Sequence, residues 1–271
     1  MSESFDIIII GGGIAGTSAA LTAMNRGKRT AVIANPMESE SLYKAEKITN
    51  YPGLAGLSGR ELSELLRHQL EGSGAKLIRG RALNVMDMGG SFGVAVGNDF
   101  YEAKAVILAL GITREKLYPG EAEFLGRGVS YCATCDGMLY KGKTVALIGN
   151  NREAYDDADF LRGIGCNVLH FRDNLRYEIR GGMKADKLIA GGVEHPVDGV
   201  FIIKDSISVS KLIDGLEYEN GAIVTKRDMS TSIPGVFACG DCAGKPYQLA
   251  KAAGEGNIAA LSACEYVKEN K

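Results

Sequence analysis

Residues 6–27 read DIIIIGGGIAGTSAALTAMNRG, and this stretch decides the fold. Four isoleucines in succession suit a strand buried on both faces of a parallel sheet. The run passes directly into glycines, and Gly11, Gly13 and Gly16 satisfy the complete G-x-G-x-x-G pattern. In that pattern the first glycine makes the tight turn, the second lets a pyrophosphate approach bare backbone, and the third lets the helix pack on the strand. Apolar residues then recur at helical spacing, Gly27 suits the end of a helix, and TAVIA at 30–34 supplies the next strand. The prediction is a βαβ dinucleotide-binding unit at the start of the chain. A ribose-binding acid is expected about 20 residues on, but the second strand runs out into Ala34 and Asn35, and Asn35 can hydrogen-bond a ribose only more weakly than a carboxylate.

Outward from this unit, RELSELLRHQLEGSGA at 60–75 places leucines 62, 65, 66 and 70 on one face of an amphipathic helix. AKAVILALG at 103–111 reads as a second buried strand and GVFACGD at 235–241 as a third, followed by a small-residue helix in YQLAKAAGEGNIAALSACEYV. Between them TVALIGNNREAYDDADF at 144–160 opens another strand-turn-helix. Its Gly149 and Ala154 fill the outer places of the phosphate pattern, but Asn151 takes the central one and puts a side chain where a ligand would lie. The expected fold class is therefore α/β, a two-domain arrangement. Residues 1–115 form the first part of a Rossmann-like nucleotide-binding domain, 116–233 an inserted and shortened nucleotide-binding-like domain, and 234–271 the second part of the first.

Composition narrows the function classes. The chain has 271 residues, 45% of them hydrophobic, enough for a sizeable core, and a formal net charge of -2. A pI near 6.0 argues against nucleic acid as a bulk partner, since nucleic-acid binders usually carry a strong basic excess. The amino terminus lacks the basic start of a signal peptide and no apolar run reaches the length of a membrane span, so a cytoplasmic protein with no membrane partner is expected. Six cysteines in such a chain suggest redox or metal chemistry rather than a disulfide scaffold.

SYCATCDG at 130–137 carries the chemistry. Cysteines separated by two residues, Cys132 and Cys135, can close a small disulfide ring, and their proximity lowers one thiol's pKa so that thiolate is available for exchange. Half a metal site and a pair of buried thiols are the competing readings. The other close pair, Cys239 and Cys242, stands much farther off than the zinc spacing of about 15–20 residues, and no metal is expected. Asp136, directly after the second cysteine, is a turn former or a group that exchanges protons with the thiols.

Taken in order, GGGIAG, TNYPG at 49–53, ALG at 109–111, YCATCDG, TSIPGVFACGDC at 231–242 and QLAKAAGEGNIAA at 248–260 make the chain resemble the low-molecular-weight thioredoxin reductases, two-domain flavoprotein disulfide reductases. The resemblance runs over nearly the whole length and implies FAD in the first domain, a redox disulfide on the second, thioredoxin as substrate and a homodimer. It places Gly11, Gly13, Ile14, Ala15 and Gly16 at the FAD pyrophosphate, where a helix N-terminus favours anions, and Ala34 and Asn35 at the adenosine ribose. Asn50 is placed near the flavin, Ala109 and Gly111 beneath it, and Asp241 at the ribityl or pyrophosphate region. Gln248 and Leu249 bring the positive end of the last helix to the ring. Cys239 and Cys242 become small packing residues beside Asp241. Within the redox pair the resemblance assigns Cys135 to the flavin side, Cys132 to attack on the substrate disulfide, and Asp136 to the proton transfers.

The same family normally adds NADPH to the inserted domain through a second glycine turn, a basic cluster and a later glycine-rich turn. Here Asn151 replaces the central glycine, Glu153 brings a negative charge into the turn, Phe171 takes a family arginine position in HFRDNLR (170–176), and VFIIKDS occupies the place of the later turn. These losses narrow the resemblance to the ferredoxin-dependent flavin thioredoxin reductases. The stretch 162–187, with Arg162, Arg172, Arg176, Arg180, Lys184 and Lys187 against Asp173, Glu178 and Asp186, can steer an acidic partner or is a solvated face. An NADPH enzyme with a degenerate turn and a flavin-bound sensor without turnover are the alternatives.

Overall fold

The computed structural model describes residues 3–34, 42–43, 45–54, 56–111, 117–131, 133–172, 174–203 and 212–270, with Cys135 and Glu153 described by their backbone alone. The chain divides into two compact units, Met1–Thr113 with Ser208–Lys271, and Arg114–Ile207.

The first unit opens with β1 (Glu3–Ile10), α1 (Ile14–Asn25), β2 (Thr30–Ala34), α2 (Gly59–Gly72), β3 (Lys76–Arg79), β4 (Ala82–Asp87), β5 (Phe92–Val96) and β6 (Asp99–Leu108). Its sheet runs β3-β2-β1-β6-β5-β4. The first four of these strands are parallel, while β4, β5 and β6 form an antiparallel meander. The isoleucine run of β1 is explained by two cores. Ile7 and Ile9 enter the core built with α1, and Ile8 and Ile10 the core on the other face, so both sides of the strand are dry. Gly27, at φ 67, lets the chain leave α1, with its N–H bonded to Met24 O. Helix α2 starts in a capping box, with Ser58 and Glu61 exchanging hydrogen bonds. Of its four leucines, Leu62 and Leu70 are buried and Leu66 packs at the core edge, but Leu65 lies off that stripe and is 48% exposed.

The second unit follows with α3 (Glu121–Phe124), β7 (Val129–Ser130), α4 (Ala133–Asp136), β8 (Thr144–Ile148), α5 (Arg152–Gly163), β9 (Asn167–Phe171), β10 (Tyr177–Gly181), β11 (Ala185–Ala190), β12 (Val193–Pro196) and β13 (Gly199–Ile202). A parallel sheet of order β7-β13-β8-β9 and an antiparallel sheet β10-β11-β12 form its frame. The parallel sheet is again covered twice. Val145, Leu147 and Phe201 pack on Ala154, Ala158 and Leu161 of α5, and Ala146, Ile148, Val200 and Ile202 pack on Tyr177, Ile179, Leu188 and Ala190 of the antiparallel sheet.

The chain returns to the first unit through β14 (Tyr218–Glu219), β15 (Ala222–Ile223), β16 (Val236–Ala238) and α6 (Leu249–Glu269). Strand β16 pairs with the carboxyl-terminal half of β6. The sequence reading set this return at residue 234, whereas the unit's second segment begins at Ser208. Burial is the reason: Leu212, Ile213 and Ile223 lie in the core of the first unit beside Ile8 and Val236. Among the described residues, no helix is long and apolar enough to cross a membrane.

Candidate functional site

The three pattern glycines of the first turn have different tasks. A Cβ on Gly11, whose φ is 117, would stand 2.1 Å from Ala109 O, and one on Gly16 would stand 1.9 Å from Gly11 O. Both glycines therefore hold strand, turn and helix together at backbone distance. A Cβ on Gly13 would meet nothing within 4 Å. Gly13 is the N-cap of α1, no side chain caps the helix, and its first turn contains no acid. The amino terminus that continues into Ile14 and Ala15 is thus free of side-chain capping and bordered by open space, a setting that suits a phosphate anion. Ala109 N donates to Ile10 O, and Gly111 at φ 68 is open above its α-carbon. Ala34 ends β2, half-buried; Asn35 lies outside the described residues.

The return segment brings Asp241, Gln248 and Leu249 to the same unit. Asn50 Nδ2 donates to Gln248 Oε1 at 2.8 Å, tying TNYPG to the start of α6. No side chain caps that helix and its first turn holds no acid. Asp241 sits in the one-turn helix Gly240–Ala243, where burial pushes its carboxyl group up, Lys251 opposes the rise and Glu255 adds to it. Sequence reasoning missed these last two side chains, because a Lys–Glu pair at i,i+4 ordinarily marks a solvated helix face. Here both side chains are 17% exposed, and they are bonded to the Gly240–Gly244 backbone. Cys239 and Cys242 are free and buried. Burial raises Cys239 well above the usual thiol range and Cys242 to about 11, and Cys242 Sγ is hydrogen-bonded to Leu108 O and Cys239 O. Burial of this kind disfavours the thiolate on which exchange depends. Among the described residues, no group of three or more His, Cys, Asp and Glu side chains is placed to hold a metal ion.

In the second unit β7 leads through Tyr131 into α4. Cys132 lies outside the described residues, and Cys135 is on α4. Ser130 Oγ donates to Asp136 Oδ2 at 2.6 Å, and Tyr131 Oη donates to Glu121 Oε1 at 2.9 Å, whose other oxygen accepts Tyr118 N–H at 2.8 Å. The two residues preceding the redox pair are thereby anchored, one of them to the carboxylate that follows it. These anchors too were invisible in the sequence.

The second glycine turn differs from the first at the decisive point. Asn151 is the N-cap of α5, and its Oδ1 accepts Ala154 N–H at 2.8 Å. One of the helix donors that a pyrophosphate would use is thus bonded to the protein's own side chain. Gly149 O accepts from, or faces, His170 Nε2 at 3.0 Å, with the Tyr155 ring against that imidazole. Phe171 stands edge-on to Tyr177 and His195 in an aromatic cluster. Replacing Asn151 by alanine is expected to cost about 1 kcal/mol of stability and replacing it by glycine only a few tenths; urea unfolding of the two variants checks the cap.

With this geometry in place, comparisons with known proteins bear on identity. The family model described as pyridine nucleotide-disulphide oxidoreductase matches residues 5–195 and 192–256. A thioredoxin reductase of Treponema pallidum is 33% identical over an alignment of 302 positions, covering 98% of this chain and 98% of that protein. The chain belongs to the thioredoxin reductases of the pyridine nucleotide-disulphide oxidoreductase family. Like its relatives, this thioredoxin reductase is an FAD flavoprotein and an oxidoreductase. Among solved structures it is similar to a ferredoxin-flavin thioredoxin reductase from Clostridium acetobutylicum, with a TM-score of 0.92, 39% identity and 98% of each chain covered. It is also similar to a thioredoxin reductase from Gloeobacter violaceus, with a TM-score of 0.85, 29% identity, and 99% and 96% of the two chains covered. The open turn at Gly13 and the uncapped start of α6 fit the family's flavin; the turn at Asn151 does not fit a second dinucleotide equally well.

Proposed function

We propose that this thioredoxin reductase draws its electrons from reduced ferredoxin and delivers them, through FAD and the Cys132–Cys135 pair, to oxidised thioredoxin, working as a homodimer. The observation that carries the choice of donor is the side-chain-capped amino terminus of α5, where Asn151 Oδ1 holds Ala154 N–H, set against the uncapped one at Gly13. The aromatic cluster at Phe171 supports it. So does the likeness to the ferredoxin-flavin enzyme, whose TM-score is 0.92 at 39% identity.

In this reading Gly11, Gly13, Ile14, Ala15 and Gly16 hold the FAD pyrophosphate, Ala34 and Asn35 meet the adenosine ribose, and Asn50, Ala109, Gly111, Asp241, Gln248 and Leu249 surround the rest of the cofactor. FAD, when bound, supplies the relay that returns the Cys132–Cys135 disulfide to the dithiol. The Cys132 thiolate then attacks one sulfur of the thioredoxin disulfide, forming a mixed disulfide and expelling the other sulfur as a thiolate, which takes its proton from Asp136. Cys135 attacks Cys132, closing the intramolecular disulfide and releasing the second thioredoxin thiol. Two reduced ferredoxins, each giving one electron, balance one thioredoxin disulfide and two protons.

Three of the six cations between 162 and 187 are neutralised locally, Arg162 by Asp159, Arg180 by Glu178 and Lys187 by Glu194, at 2.7–3.0 Å. Arg172, Arg176 and Lys184 are exposed and have no ion pair with any described residue, which makes the first two the choice for a docking test. Anaerobic mixing with NADPH or NADH at millimolar concentration is expected to leave the flavin absorbance unchanged, whereas reduced ferredoxin bleaches it. The ferredoxin rate falls with salt, because screening confines such attraction to about 10 Å at 0.1 M. The double reversal Arg172→Glu, Arg176→Glu is expected to slow it about tenfold or more. Rapid bleaching by NADPH overturns the choice of donor; an unchanged ferredoxin rate in the double variant moves the dock elsewhere.

A further inference from the structure

We propose that Lys251 and Glu255 are positioning residues for the flavin, stapling α6 to the Gly240–Gly244 turn so that the Asp241 carboxylate is held at the cofactor. This inference rests on the placement of Asp241 in the flavin site. The Lys251 ammonium group has three hydrogens and three acceptors: Gly240 O at 2.9 Å, Gly244 O at 2.6 Å and Glu255 Oε2 at 3.0 Å. That same Glu255 oxygen accepts Gly240 N–H at 2.9 Å. Two side chains one helical turn apart therefore grip the segment carrying Asp241 at both ends, and Lys251 has no hydrogen left to offer a ligand directly.

Two features separate this from an ordinary surface pair. Exposed i,i+4 pairs contribute little and leave both side chains in water, whereas these are largely withdrawn from it. A lysine near the start of a helix also opposes the helix dipole, and here its charge is directed instead onto the two backbone carbonyls of the turn. On its other side the turn is pressed against the helix of the first glycine turn. A Cβ on Gly240, at φ 78, would lie 2.9 Å from Ala15 Cβ, and one on Gly256 of α6 would lie 2.1 Å from Ala15 O. Asp241 thus sits on backbone pinned to α1 by close packing and to α6 by the staple. Lys251 also opposes the effect of burial on the Asp241 carboxyl group, so losing it both frees the turn and disfavours the charge.

The test is release of FAD from the holoprotein on dilution, followed by flavin fluorescence, across the cycle Lys251→Met, Asp241→Ala and the double variant. Lys251→Met is expected to weaken FAD retention about tenfold, the scale of a lost charge-assisted hydrogen bond. In the Asp241→Ala background the same change should have no further effect, because nothing remains to be positioned. Losses that add in the double variant, or full retention in Lys251→Met, overturn the proposal while leaving Asp241 in the site. Full retention in Asp241→Ala removes Asp241 from the site and the proposal with it. Should Lys251→Met fail to fold, Glu255→Gln preserves the side-chain volume and is expected to weaken FAD several-fold, again with no further loss beside Asp241→Ala; additivity there overturns the proposal equally.

Discussion

With Cys132 or Cys135 replaced by serine, the protein is expected to keep its FAD and to lose thioredoxin reduction down to the background rate. A serine hydroxyl cannot form the sulfur–sulfur bonds through which exchange proceeds, and both sulfurs are needed because one opens the substrate disulfide and the other releases the mixed disulfide. Neither position is among the residues that carry the open helix terminus at Gly13 or the start of α6, so flavin content is the internal control. The two variants differ in what they trap. Cys135→Ser leaves Cys132 able to attack thioredoxin but without a resolving thiol, so a covalent adduct accumulates and is visible on a non-reducing gel. In the proposed assignment Cys132→Ser leaves only the flavin-side thiol and is expected to yield no adduct. Adduct formation by Cys132→Ser alone would reverse the two roles, and appreciable turnover in either variant would remove the pair from the reaction.

Gly13→Glu should abolish FAD binding without unfolding the protein. The structure separates these outcomes, since Gly13 has an ordinary negative φ of -68 and no atom within 4 Å of an added Cβ. The new carboxylate enters the space over the amino terminus of α1, where it would occupy the place proposed for the pyrophosphate and repel its charge. A like charge about 4 Å away costs about 4 kcal/mol at an effective dielectric of about 20, roughly a thousandfold in affinity, before any steric conflict is counted. The purified variant should be colourless yet melt cooperatively. At Gly16 even alanine is expected to damage the fold, because its Cβ would sit 1.9 Å from Gly11 O. A yellow Gly13→Glu protein with stoichiometric flavin would place the pyrophosphate somewhere else.

The contrast between the two glycine turns shows how far local pattern reaches. Strand β1, the turn and α1 follow from the order of residues alone, because isoleucines alternate between two buried faces and a tight strand-to-helix turn admits only glycine at two of its places. That Asn151 departs from the glycine pattern of the second turn is also legible from its position. What its side chain does there is not. The side chain is held in the turn as the N-cap of α5 and takes the Ala154 N–H for itself, which depends on backbone angles that composition does not specify. Likewise the six cations of 162–187 read as one basic run, but half of them are neutralised once strands β10, β11 and β12 and helix α5 bring carboxylates alongside.

What is legible in the sequence by itself is the set of pieces whose meaning is local: the βα turn at 6–27, the CATC spacing followed by Asp136, the order of motifs that marks the family, and the asparagine in place of the central glycine of the second turn. Tertiary structure alone decided what depends on residues far apart in the chain. It buried Leu212, Ile213 and Ile223 in the first unit and so moved the return of the chain to Ser208. It buried Cys239 and Cys242 in the two cores of the first unit, and it turned Lys251 and Glu255 from a surface pair into a clamp on the Asp241 turn. The physical reason is common to all three. Burial and hydrogen-bond partners are properties of the assembled fold, because the elements that exclude water from a side chain lie tens to hundreds of residues away from it.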